Sequence, residues 1–126
     1  MAEIKVPRAS VWQTFELETA FLDPPKIKLK LTPIISRERL KTAAEMESGT
    51  ESQDFPFMVD KTINTALEHV TGWDITSNGK AIPCTPKNKE RYLEPLMLEK
   101  VKGKPNVFLV MEIMGFITDV QNFVKN

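Results

Sequence analysis

The chain has 126 residues, 41% of them hydrophobic, with 17 lysines and arginines against 17 aspartates and glutamates. That length suits a single domain that buries its own core, and a formal charge of zero offers no basic field for phosphates, which argues against nucleic acid as a partner. One cysteine, Cys84, cannot form an internal disulfide, and with one histidine, His69, it cannot supply a structural zinc site.

The opening MAEIKVPRAS contains no apolar run of signal-peptide length. In VWQTFELETAFL, Phe15 and Leu17 alternate with polar neighbours, and KIKLKL (Lys26 to Leu31) alternates strictly, Ile27, Leu29 and Leu31 against Lys26, Lys28 and Lys30. Asp23, Pro24 and Pro25 provide turn chemistry between the two runs, so the pattern predicts an antiparallel hairpin with a lysine-rich face toward water. That lysine row reads first as a solvated outer face and second as a docking strip for an acidic partner.

Ser36 can cap a short helix in RERLKTAAEME, where Leu40, Ala43, Ala44 and Met46 fall near one face. Glu47 to Asp54 carries no apolar periodicity and reads as an exposed loop. Asp54 and Pro56 suit the start of the next helix, whose stripe is Val59, Ile63, Ala66, Leu67 and Val70, with Gly72 as its stop. His69, late in this helix, is expected at the surface or boundary, because the sequence marks no nucleophile or orienting acid to make it a general base.

GWDITSNGKAIPCTPKNKERYLEP, residues 72–95, concentrates unusual residues, and most have a conformational use. Trp73 is an apolar anchor, folded back on the core or presented to a partner. Asn78 and Gly79 favour a positive-φ turn, Pro83 prevents central-strand pairing, and Thr85, Pro86 and Asn88 mark a helix start. Cys84 is expected to be buried and inert, since no basic residue is marked to activate it. With no phosphate loop, nucleophile elbow or metal spacing, no catalytic residue, metal or cofactor is assigned, and an enzyme is not expected.

VFLVMEIMGFI (Val107 to Ile117) is too short to cross a membrane, which takes about 20 apolar residues, and it contains Glu112. As a long helix apolar on all sides it must be a central core helix or be covered by another subunit, and the second is favoured, so the chain is expected to form a homo-oligomer. Phe108, Met111, Phe116 and Val120, together with Trp73, are the candidates for partner binding or self-association. The expected fold is a single α+β domain over residues 1–126. An N-terminal β-hairpin or small antiparallel sheet occupies residues 1–34, and about four helices, the last long and apolar, occupy a mainly helical part over 35–126.

From Lys26 to Asn126 the arrangement resembles the tail assembly chaperones of long-tailed bacteriophages. The resemblance is carried by Trp73, Asp74, Asn78, Gly79, Lys80, Ile82, Pro83, Thr85 and Asn88, which follow that family's pattern of a tryptophan, a glycine and proline turn, and a T-x-x-N helix start. It implies a non-enzymatic protein of the bacterial host cytoplasm, absent from the mature virion. Such a protein binds the tape measure protein and helps recruit tail tube subunits during tail assembly. The alternative is a structural virion component, a tail or head–tail connector protein.

Overall fold

The computed structural model describes residues 1–35, 37, 41 and 55–124. Strict alternation gives the first two elements. β1 (Val11–Glu18) and β2 (Lys26–Leu31) pair antiparallel, with Val11 opposite Leu31 and Phe15 opposite Ile27. Phe15, Leu17, Ile27, Leu29 and Leu31 are all buried on one face, while Trp12, Thr14, Glu16, Lys26 and Lys28 stand on the other. The expected hairpin is present, with its lysines outward.

The helix expected after Ser36 lies outside the described residues except for Arg37 and Lys41, both helical, and the expected loop from Glu47 to Asp54 lies outside them entirely. α1 (Phe55–Glu68) then places Ile63 and Ala66 on the buried face of the sheet. It ends earlier than its apolar stripe suggests. Val70, Gly72 and Trp73, read from periodicity as helix end, stop and anchor, belong to β3 (Val70–Trp73). This strand pairs antiparallel with β2, Val70 opposite Leu31 and Gly72 opposite Lys30, across an irregularity at Lys30 and Leu31. A β-branched pair followed by glycine and an aromatic suits a half-buried strand better than a last helical turn.

β4 (Thr76–Ser77) and β5 (Lys80–Ala81) form a minimal hairpin around Asn78 and Gly79, whose φ angles are 54° and 76°. Both residues are left-handed, as a two-residue hairpin turn of this kind requires. α2 (Pro86–Asn88) is one turn, capped by the Thr85 hydroxyl, which accepts the Asn88 N–H at 3.2 Å. It tightens and loosens through a π turn (Lys89–Leu93) and a 3-10 turn (Glu94–Leu96) before β6 (Lys100–Val101). β6 joins the other side of β1, so the main sheet has the order β3-β2-β1-β6 and is antiparallel throughout.

The final apolar segment differs from expectation. It is a ten-residue helix, α3 (Leu109–Thr118), and not a long one, followed by a separate 3-10 turn (Val120–Phe123). Asp119 makes the break: its backbone is extended and its carboxylate accepts the Gln121 N–H, the local side-chain bond that competes with helix continuation. Three of the expected helices fall among the described residues, one of them a single turn; the one after Ser36 lies largely outside them. Leu109, Val110, Ile113 and Ile117 of α3 are buried against the sheet, each removal from water stabilising the fold by roughly 1.5–3 kcal/mol. The helix is therefore core on one side, which an apolar sequence on every side concealed.

The result is a two-layer α+β fold, with α1 and α3 on one face of the sheet and no helix among the described residues on the other. Among the described residues, no helix is long and apolar enough to cross a membrane.

Candidate binding surface

The residues with conventional chemistry are built into the scaffold. His69 is 6% exposed, more buried than the expected surface or boundary position, because the chain passes from α1 into β3 at that point. Its Nδ1 lies 3.1 Å from the Thr32 carbonyl oxygen and 3.0 Å from the Thr32 hydroxyl. The carbonyl can only accept, so that contact is a hydrogen bond in the tautomer that carries its proton on Nδ1, whereas the hydroxyl can donate to Nδ1 in the other. Cys84 is half-buried, and burial raises its thiol pKa while the Lys89 ammonium pulls the other way. Lys89 itself donates to the Leu67 carbonyl at 2.9 Å, closing the C-terminal turn of α1.

The loop that carries the family-like pattern is held by a few directed bonds. The Trp73 indole N–H donates to the Ile82 carbonyl at 2.6 Å, and the Ile82 N–H donates to the Ile75 carbonyl at 3.0 Å. Asn88 reaches back from α2 to the Pro83 carbonyl at 2.9 Å. Trp73, Asn78, Gly79, Pro83, Thr85 and Asn88 therefore fold the segment on itself. Trp73 packs half-buried against the core, the first of its two expected roles.

The four candidates in the last segment separate. Phe108 caps α3 and is partly buried, with its backbone in an isolated bridge to Lys100. Phe116 packs edge-on against the buried Phe123, ring centroids 5.5 Å apart. Met111 and Val120 are the two with large exposed apolar side chains. The structure thus places only part of the expected stripe at the surface.

The outer face of the sheet carries a feature that alternation alone did not disclose. Trp12 stands directly opposite Lys30 and is 45% exposed. Its ring extends across β2, so that a Cβ added to Gly72 on β3 would lie 3.2 Å from Trp12 Cη2 and 3.2 Å from Lys30 Cβ. The Lys28 ammonium sits 5.7 Å from the centroid of that ring. A side chain at Gly72 would press on the indole and on Lys30, which would have to give by a few tenths of an ångström. Toward the other end of the hairpin Glu16 stands opposite Lys26, so the uncompensated positive charge gathers around Trp12. Asp74 lies beside Lys28 but spends one carboxylate oxygen on the Lys28 backbone N–H at 2.9 Å.

A second feature lies at the rim of the sheet. β6 covers β1 only at Leu17 and Glu18, beyond which a groove of about 350 Å³ runs between β1 and α3. Thr14, Phe15, Glu16, Glu112, Gly115 and Phe116 are among its walls, and Lys104 is ion-paired to Glu112 across one end.

Comparison with protein families, with curated proteins and with solved structures gives no match for this chain.

Proposed function

We propose that the chain works by binding, as a tail assembly chaperone that keeps a phage tape measure protein soluble and helps bring tail tube subunits to it. The reading is carried by the segment from Trp73 to Asn88, in which Trp73, Asn78, Gly79, Thr85 and Asn88 of the family-like pattern occupy turn, cap or anchoring positions. Two further observations support a binding role. The side chains that an enzyme would draw on, His69 and Cys84, are committed to the scaffold, one to Thr32 and the other to a partly buried site that disfavours its thiolate. On the outer face of the sheet the exposed Trp12 offers apolar contact and Lys28 and Lys30 offer charge, which fits an amphipathic helical client with acidic residues along its polar edge; Met111 and Val120, exposed on and after α3, offer a separate apolar contact.

On this reading the protein acts in the bacterial host cytoplasm and leaves before the particle is complete. Co-expression with a tape measure protein should raise the soluble yield of that client and yield a complex that copurifies. Mass spectrometry of purified virions should find the tape measure protein and not this chain. Client solubility that is indifferent to the chain would overturn the proposal, and stoichiometric recovery from virions would establish the connector alternative.

A further inference from the structure

Every strand of a sheet has two edges, and among the described residues one edge of β1 is left open over half its length. The direction of its backbone groups follows from three bonds. The Leu17 N–H donates to Pro25 on the β2 side, whereas the Glu16 carbonyl accepts from Lys102 on the β6 side and Glu18 pairs with Lys100. Backbone groups alternate between the two sides along an antiparallel strand. Trp12 and Thr14 therefore direct their N–H and C=O groups away from β2, toward the rim where β6 has not reached, and among the described residues no other element hydrogen-bonds to them. An unpaired strand edge is a template for another strand.

The groove beside this edge is shaped for such a strand. Its inner wall is Phe15 and Phe116, and a Cβ built on Gly115 meets nothing within 4 Å, so side chains of an added strand have room between β1 and α3.

The same chain holds a segment with the matching pattern. Glu3, Ile4, Lys5 and Val6 alternate charged and β-branched residues, the signature of a strand with one apolar face. Ile4 is 87% and Val6 78% exposed, so neither apolar side chain is buried by its own domain. The segment's tether is the Arg8 N–H, which donates to the Phe123 carbonyl at 2.7 Å, one residue from Asn122 on the groove wall. We infer that residues 3–6 of a second copy of this chain add to the open edge of β1, completing the sheet with Ile4 and Val6 turned into the groove beside Phe116 and Gly115. Glu3 and Lys5 then fall on the outer side, beside the Trp12, Thr14 and Glu16 side chains of β1. The exchange is reciprocal: each copy lends a strand and receives one, giving a closed dimer with a two-fold axis. It rests on the fold and not on the proposed client.

Sedimentation of the full chain tests it. The wild type should run as a dimer. The double substitution Ile4→Asp with Val6→Asp should weaken dimerisation by about tenfold or more, because charges replace the side chains to be desolvated. Thr14→Pro should do the same by deleting an edge N–H that no ladder bond uses. Circular dichroism must show both variants folded; if Thr14→Pro unfolds, the tail variant alone decides, since Ile4 and Val6 lie outside the core. Exchange between copies is read directly in a Cys84→Ser background by mixing Val6→Cys molecules with Gly115→Cys molecules, which should form a disulfide across the pair. A monomeric wild type, a dimer unaffected by the tail substitutions, or cross-linking only when both cysteines are on one chain would each overturn the inference.

Discussion

Thr32 and His69 hold each other twice: the Thr32 N–H donates to the His69 carbonyl at 2.9 Å, and the imidazole Nδ1 returns to the Thr32 carbonyl at 3.1 Å. The pair joins the residue just past β2 to the residue between α1 and β3, so it fixes where the helix ends and the edge strand begins. His69→Ala should destabilise the protein by roughly 1–3 kcal/mol, the cost of leaving a partly buried carbonyl without its donor. Urea unfolding measures this, and a midpoint unchanged from wild type would show the clasp to be dispensable.

Gly79 has open space around its missing side chain, so only its backbone conformation resists substitution. At φ 76°, Gly79→Val should cost more than about 1 kcal/mol, and Gly79→Asn less, because asparagine tolerates the left-handed region. Thermal melting of the two variants should rank them in that order. Equal melting temperatures would refute a backbone origin.

The Cys84 thiol is raised by burial despite the nearby Lys89 ammonium, so less of it is thiolate at any given pH than in an unfolded peptide. Iodoacetamide should modify folded protein more slowly than urea-unfolded protein at pH 8. Removing the opposing charge with Lys89→Met should slow it further. Faster alkylation of the folded state would contradict the desolvated site.

Aspartate substitutions along α3 should divide by face. Ile113→Asp puts a charge into the core and should unfold the domain, and Phe116→Asp should weaken it by losing the contact with Phe123. Met111→Asp should keep helical circular dichroism and reduce client binding. Unfolding by Met111→Asp would mean that this side of the helix is covered after all.

Legibility in the sequence tracked how local the determining interaction is. KIKLKL declared its strand because alternation is a property of six adjacent residues, and Asn78, Gly79, Thr85 and Pro86 declared their turn and cap for the same reason. Val70 to Trp73 misled because Val70 continues the helical spacing of Ile63 and Ala66; only its pairing with Leu31, far along the chain, makes it a strand. The last segment misled in the opposite direction. Uniform apolarity reports burial without direction, and the Asp119 break that shortens the helix is a single residue. At the candidate surfaces, Phe108, Met111, Phe116 and Val120 were chosen on apolar character, which cannot separate a ring packed on Phe123 from a thioether in water. The Trp12 platform and the open edge of β1 depend on which strands are neighbours. The alternation of Glu3 to Val6 was visible, but it had no meaning until an unpaired edge was found for it.

The order of strands in the sheet also dictates a timetable. β1 and β2 are neighbours in sequence and can pair as soon as both leave the ribosome, but β1 waits for residues 100–102 on its other side and for α3 over its apolar face. Arg8 waits for Phe123, and Ile34 for Ile117. Contacts of such long sequence separation close slowly, after the entropy of the intervening chain has been overcome. Throughout synthesis of the middle of the chain, the nascent hairpin displays Phe15, Leu17, Ile27 and Leu29 without their cover, an adhesive surface that the cell's holding chaperones can recognise. A nascent chain stalled before residue 100 should therefore remain protease-sensitive, and resistance should appear only once α3 has emerged.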